Sequence, residues 1–353
     1  MSDIDFESLR RIGLTHTIAS QLHLLDHPAP AQLVRIIEIQ RDWLTVHDGQ
    51  SEYKARALPQ LMRTLLDQET SLAVGDWVLC ETHAQDERWI GAQLPPTSHI
   101  ARRSADGRRQ PLASNVDTAL LVMGLDNDFN LRRIERYVAL AHAAEVAPVV
   151  VLTKADASLD HEDQLRALQQ RLPASVPAMA VDGRDPATLA VLAPWLGAGQ
   201  TLILLGSSGA GKSTLTNTLT GAGQHTGGVR KGDARGRHTT TARSLHLCDS
   251  GACIIDTPGL RSLSPDADEE TLAATFDDIA ALAEQCQFRD CKHAEEPGCA
   301  VREAVDPDRL LNYHKLLREA RRVQQTPLDR IAERAKWKVV LRAVEARNRN
   351  KWR

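Results

Sequence analysis

Nothing in this chain restricts its fold more than nine residues, GSSGAGKST, beginning at Gly206. They satisfy G-x-x-x-x-G-K-[ST] and have the flanks such a loop needs: an apolar run, TLILL, leads in, and STLTNTL, patterned as a helix, leads out. A strand, loop and helix in that order direct backbone N–H groups at an anion. Gly206, Ser207, Ser208, Gly209, Ala210, Gly211 and Thr214 then line phosphates, Lys212 reaches the β and γ oxygens, and the Ser213 hydroxyl is placed for Mg²⁺. The neighbouring pattern agrees with a nucleotide-binding sheet. DTALLVMG (117–124), PVVVL (148–152), TLILLG (201–206), SLHLCD (244–249) and CIIDT (253–257) read as strands; helices are expected over 131–146, near 161–172 and from Lys212. Alternating buried strands and helices predict a doubly wound parallel α/β sheet with ligands at the carboxyl ends of its strands.

Three further motifs belong to that site. Asp256-Thr-Pro-Gly259 ends the apolar CII about 45 positions after the phosphate loop, where a carboxylate holds Mg²⁺ and the Gly259 amide senses a γ-phosphate. Between them, RGRHTTT (235–241) stands where a switch loop offers a threonine hydroxyl to the metal. Spacing leaves Thr239, Thr240 and Thr241 open; Thr240 and Thr241 are expected at the nucleotide, and Thr240 at Mg²⁺. Thr153-Lys154-Ala155-Asp156 follows PVVVL and reads as the base selector. Guanine alone presents two adjacent donors to a carboxylate such as Asp156, while Lys154 lies along the ring; adenine would leave that carboxylate facing an acceptor. Threonine stands where asparagine is commoner. The order is unusual too, with the base selector ahead of the phosphate loop.

Ahead of this region, RIIEI, WLTVHD, YKARAL, DWVLCE and RWIGAQL lie within residues 33–97. Five short strands in so small a span predict a closed barrel, either an OB-fold or an SH3-like one. The basic stretch ARRSADGRR (101–109) reads as an exposed linker. Near the other end, Cys286-x4-Cys291-x-His293-x5-Cys299 offers three thiolates and one imidazole within fourteen residues. Four soft ligands with no open position fit one tetrahedral structural Zn²⁺. Cys80, Cys248 and Cys253 fall in strand-like runs and are expected to pack as small hydrophobes.

Net charge is only −3, but its distribution is uneven: from Lys315 to Arg353 thirteen Lys or Arg oppose four Asp or Glu. Such a tail, with Trp337 and Trp352 among its cations, reads as facing nucleic acid or as a solvated helix face. No apolar run approaches the roughly 18 residues a bilayer span requires, and MSDIDFESLRR lacks the basic-then-apolar opening of a secretory signal. A cytoplasmic protein without membrane contact is expected.

Taken in order, the barrel, SNVD (114–117), TKAD, GSSGAGKST, GRHTTT, DTPG and the cysteine–histidine cluster resemble the circularly permuted GTPases of small-ribosomal-subunit biogenesis, the RsgA (YjeQ/YloQ) type. The resemblance implies an N-terminal OB-fold, a permuted GTPase domain and a zinc-binding helical domain. It implies GTP and GDP as ligands, docking on the 30S subunit and its 16S rRNA, and GTP hydrolysis in late maturation by a monomer. It assigns zinc to Cys286, Cys291, His293 and Cys299, and the second base-side loop to Val181, Asp182 and Gly183, where the family usually has Ser-Ala. Leu260 follows DTPG, so the water-orienting glutamine of Ras-like enzymes is absent and the family's substitute points to His238. The expected divisions are an extension (1–32), the barrel (33–100), a linker (101–114), the GTPase domain (115–265) and the helical domain (266–353). A phosphate-loop kinase or ATPase acting on a small molecule, and a nucleotide-regulated RNA-binding protein without a ribosomal role, are the other classes compatible with the loop. Because the segment after Gly259 leads directly into the C-terminal helices, loss of γ-phosphate is expected to reposition them.

Overall fold

A computed structural model describes residues 5–24, 31–83, 87–103, 109–221, 243–258 and 267–324. His238, the three threonines 239–241, Gly259 and the basic tail beyond Gln324 lie outside the described residues. Two short helices open the chain, α1 (Phe6–Arg11) and α2 (His16–Ser20). Then come β1 (Gln32–Ile39), β2 (Leu44–His47), β3 (Glu52–Ala57), α3 (Pro59–Asp67), β4 (Trp77–Thr82) and β5 (Arg88–Gln93). Strand β1 pairs with both β2 and β4, β2 with β3, β3 in parallel with β5, and β5 with β4. That circuit closes a five-stranded barrel in OB order, with α3 inserted between the third and fourth strands. Leu61 and Leu65 of α3 join Val34, Ile36, Val46, Val78 and Ile90 in its core.

Residues 5–24 are not a loose extension. Leu9, Ile12, Leu14 and Ile18 pack on Leu33, Trp77, Leu79 and Leu94, so these helices share a core with the barrel's outer face. The linker expected over 101–114 is likewise corrected: β6 (His99–Arg103) and β7 (Arg109–Ser114) form a hairpin. Its arginines obscured the pattern, because Ile100, Leu112 and Ala113 are buried in the core that follows.

That core belongs to β8 (Thr118–Gly124), α4 (Leu131–Ala143), β9 (Ala147–Thr153), α5 (His161–Gln169), β10 (Ala178–Ala180), α6 (Ala187–Leu192), β11 (Thr201–Leu205), α7 (Lys212–Leu219), β12 (Ser244–Leu247) and β13 (Cys253–Asp256). The order across the sheet is β10-β9-β8-β11-β13-β12, parallel except for β12 at its edge. Strands arriving first and last in the chain thus flank β11, the strand of the phosphate loop, and residues 184–200 carry α6 across to reach it. Helix α4 stops at Ala143, three residues before the expected end, because Glu145 turns left-handed at φ 56°.

Barrel and sheet meet at one bridge, Glu38 with Ser244, and around a wholly buried guanidinium. Arg35 donates to the carbonyls of Ile12 (2.5 Å), Gly75 (3.2 Å) and Asn115 (3.0 Å), joining the N-terminal helix, a barrel turn and the segment entering β8. Within SNVD, the Asp117 carboxylate accepts from the Thr201 amide at 2.7 Å and so fixes the start of β11. Cys80, Cys248 and Cys253 are buried as expected, and burial pushes the Cys80 thiol up to about 11.

The remaining described helices are α8 (Glu269–Thr275), α9 (Asp277–Ala283), α10 (Ala300–Ala304) and α11 (Pro307–Gln324). Their core takes Ala139 and Ala143 from α4, whose opposite face lies in the sheet core. Glu135 of α4 is buried between these layers, accepting from Arg309 at 2.6 Å and Asn312 at 2.5 Å, while Arg309 grips Asp278 through two bonds. Among the described residues no helix is long and apolar enough to cross a membrane.

Candidate functional site

Three loops converge at the carboxyl ends of β9, β10 and β11. The phosphate loop leaves β11 at Gly206 and enters α7 through Gly211, whose left-handed φ of 89° is where a side chain would be strained. Lys212 is buried, with its ammonium on the carbonyls of Gly206 (2.9 Å) and Ser207 (2.8 Å). Ala210 is also buried, while Ser208 and Gly209 face solvent beside it. Ser213 and Thr214 occupy the first turn of α7, and the Ser213 hydroxyl points to Asp256 Oδ2 at 3.5 Å.

Asp256 ends β13 with 5% of its surface exposed, and its Oδ1 is buried with no hydrogen-bond partner among the described residues. Burial pushes its carboxyl up against the downward pull of Lys212, and burial pushes the Lys212 ammonium down in turn. An orphaned carboxylate oxygen beside a serine hydroxyl at the mouth of a phosphate loop is a donor set suited to Mg²⁺. The residues present therefore fit the ion. The turn that follows is braced by Thr257, whose hydroxyl donates to Leu204 O at 2.6 Å.

The 153–156 turn, expected to select the base, is bound to the loop between β11 and α7 at two points. Thr153 does not face the pocket: it is buried, and its hydroxyl donates to Ala210 O at 2.6 Å from behind. Lys154 adopts φ 64°, which turns its side chain back over the loop, and its ammonium donates to Gly209 O at 2.8 Å. Asp156 lies exposed one short turn further on, with Ala155 tied through its amide to Val181 O at 3.2 Å. Val181, Asp182 and Gly183 line the next loop. The Asp182 carboxylate folds onto the Arg184 amide at 2.9 Å, and Gly183 O accepts from Thr218 of α7 at 2.7 Å. Hydrogen bonds thus link the 154–156 turn to the 181–183 loop and that loop to α7.

Two acidic residues outside every motif above also sit here. Asp126 accepts from Lys154 at 2.6 Å, and Asp128 accepts from the Ser207 hydroxyl at 2.6 Å while pairing with Arg133. The only signal for them in the sequence is the D-N-D spacing directly after a buried strand.

In the C-terminal helical layer, Cys286, Cys291, His293 and Cys299 bring their ligand atoms within 4.8 Å of one another. All three cysteines are free thiols. A tetrahedral zinc with Zn–S near 2.3 Å and Zn–N near 2.05 Å requires about 3.8 Å between sulfurs and about 3.6 Å between sulfur and nitrogen. Here the Cys286 and Cys299 sulfurs are 3.9 Å apart, and His293 Nδ1 lies 3.6 and 3.5 Å from them. The cluster fits zinc. His314 of α11 meets His293 O at 3.2 Å, tying the ligand loop to the long helix.

A family profile described as RsgA GTPase matches residues 94–265. A protein of Xanthomonas oryzae pv. oryzae (strain MAFF 311018), named small ribosomal subunit biogenesis GTPase RsgA, is 44% identical and aligns over 94% of each chain. One of the same name from Xanthomonas axonopodis pv. citri (strain 306) is also 44% identical over 94% of each. Among solved structures, YjeQ from Thermotoga maritima superposes with a TM-score of 0.60 at 23% identity, over 84% of this chain and all of that one. YloQ, titled a circularly permuted GTPase, gives 0.55 at 24% identity over 86% and 99%. With these matches and this pocket, the chain belongs to the RsgA GTPase family.

Proposed function

We propose that this protein binds GTP between its base-selector and phosphate loops and hydrolyses it while acting on the small ribosomal subunit, in the biogenesis role its relatives' names carry. The observation behind this reading is the double tie of one loop to the other, Thr153 to Ala210 and Lys154 to Gly209, which sets a base-binding carboxylate at a fixed reach from the phosphate cradle. Asp156 takes the guanine edge, Lys154 and the 181–183 loop flank the base, and the 206–214 loop holds the phosphates. Lys212 moves from the loop carbonyls to the phosphate oxygens, where its desolvated charge is neutralised. Ser213, Asp256 and Thr240 would hold Mg²⁺, which supplies charge neutralisation on the β and γ oxygens. His238 orients the attacking water.

The same reading takes 33–100, 115–265 and 266–353 as the working units of a cytoplasmic monomer, with 16S rRNA as a contact surface. Support for RNA contact comes from the barrel, where Arg56 stacks over Trp43 at 4.0 Å and Arg88 over Tyr53 at 3.7 Å, and from the +9 tail. The test is turnover of GTP and of ATP by the full chain, with and without 30S subunits. GTP preference with stimulation by subunits is expected; ATP preference, or no stimulation, overturns the reading.

A further inference from the structure

We infer that Asp126 is a positioning residue for guanine recognition: it holds the Lys154 ammonium over the phosphate loop before nucleotide arrives. The inference rests on the reading of residues 153–156 as the base selector. A lysine on a left-handed turn at a pocket rim has four rotatable bonds and every freedom to leave. Here the ammonium is fixed by two acceptors on different segments, Asp126 Oδ2 at 2.6 Å and Gly209 O at 2.8 Å. With the ammonium held at both points, the methylene stem is free of other demands and available to pack along the face of a purine ring.

Three features keep Asp126 there. Its other oxygen, Oδ1, accepts from the Asp128 amide at 3.0 Å, and its carbonyl accepts from the Phe129 amide at 3.0 Å, so the turn is closed on itself. Asp128 anchors the same turn to Ser207 of the phosphate loop and to Arg133 at the start of α4. The third feature is Gly124, the last residue of β8. A Cβ there would stand 2.7 Å from Asp126 Oδ1 and 3.2 Å from Lys154 Nζ, so any larger residue must push the two groups away. The ion pair itself is too exposed to matter much for folding, with 35% of Lys154 and 45% of Asp126 accessible. Its value lies in the rotamer freedom that Lys154 has already lost, worth on the order of tenfold in affinity.

The experiment measures dissociation constants of the full chain for GDP and for a non-hydrolysable GTP analogue, together with kcat and KM for GTP. Asp126→Ala is expected to weaken both nucleotides by the same factor, about tenfold, because the base is common to them, and to raise KM more than it lowers kcat. Asp126→Asn, which keeps an acceptor oxygen, recovers part of the loss, and Gly124→Ala reproduces the loss with both groups still present. In a Lys154→Ala background Asp126→Ala adds nothing, since the carboxylate acts through the lysine. The proposal is overturned if Asp126→Ala stays within about twofold of the parent while Lys154→Ala and Asp156→Ala weaken GDP. If neither of those two weakens GDP, it is the base-selector reading that fails.

Discussion

The cysteine–histidine cluster and the candidate nucleotide pocket are built on opposite plans. The cluster draws four ligands from fourteen consecutive positions, so its geometry is a property of one loop. The pocket draws on turns near residues 126, 154, 182, 209 and 256, and exists only where a parallel sheet brings the ends of its strands together. Thiolate ligands define their own coordination sphere once spacing allows it, whereas a phosphate cradle is mostly backbone N–H groups that must be aimed by surrounding structure. A local site depends on its ion; an assembled site depends on its braces.

The largest effect expected from that contrast is on removing zinc. Structural zinc contributes about 10–16 kcal/mol in small zinc-binding peptides, so chelation, or Cys299→Ser, should strip hydrogen-exchange protection from residues 286–305 while β8, β9 and β11 keep theirs. Metal analysis of the parent should find about one zinc per chain; equal loss of protection in both regions would break the comparison. Next in size is Lys212→Ala, expected to cut GTP turnover by about 10²–10³-fold, the usual cost of losing one preorganised charge contact, with zinc content unchanged. The smallest is Thr153→Val. It preserves shape but leaves Ala210 O without its donor, which should cost about 1–3 kcal/mol in denaturant unfolding and weaken GDP. Unchanged stability would mean that the brace behind the phosphate loop is dispensable.

Much of both plans could be read from residue order. The five barrel strands are legible as short runs of strand formers between polar or Gly-containing breaks, yet the parallel pairing of β3 with β5, which separates an OB barrel from an SH3-like one, is a contact across 33 positions that no local pattern encodes. The permuted sheet was legible in the order of TKAD and GSSGAGKST, and strand β11 does lie between β8 and β13. Thr153 stood out by type, but its inward direction depends on the pleat of β9 against the loop beyond. Glu135 and Arg309 carry no local mark that separates them from solvated helix-face charges, yet they are buried against each other, because the helical layer covers α4 from a segment 174 positions away. Arginines at 102, 103 and 109 hid the hairpin for the reverse reason: the polar positions outnumbered the few apolar ones that decide burial.

The permuted order has a consequence for the moment of synthesis. Strand β8 is completed at Gly124, but its inner neighbour β11 does not begin until Thr201, 77 positions later. At about 5–20 residues per second of translation, an apolar strand with every one of its seven residues buried in the finished protein waits several seconds with one edge unpaired. In the unpermuted arrangement the central strand would emerge first and be paired outward from there. This chain must therefore keep a sticky half-sheet soluble while the rest is being made, and β9, β10 and α4, all translated in the interval, are the parts available to cover it.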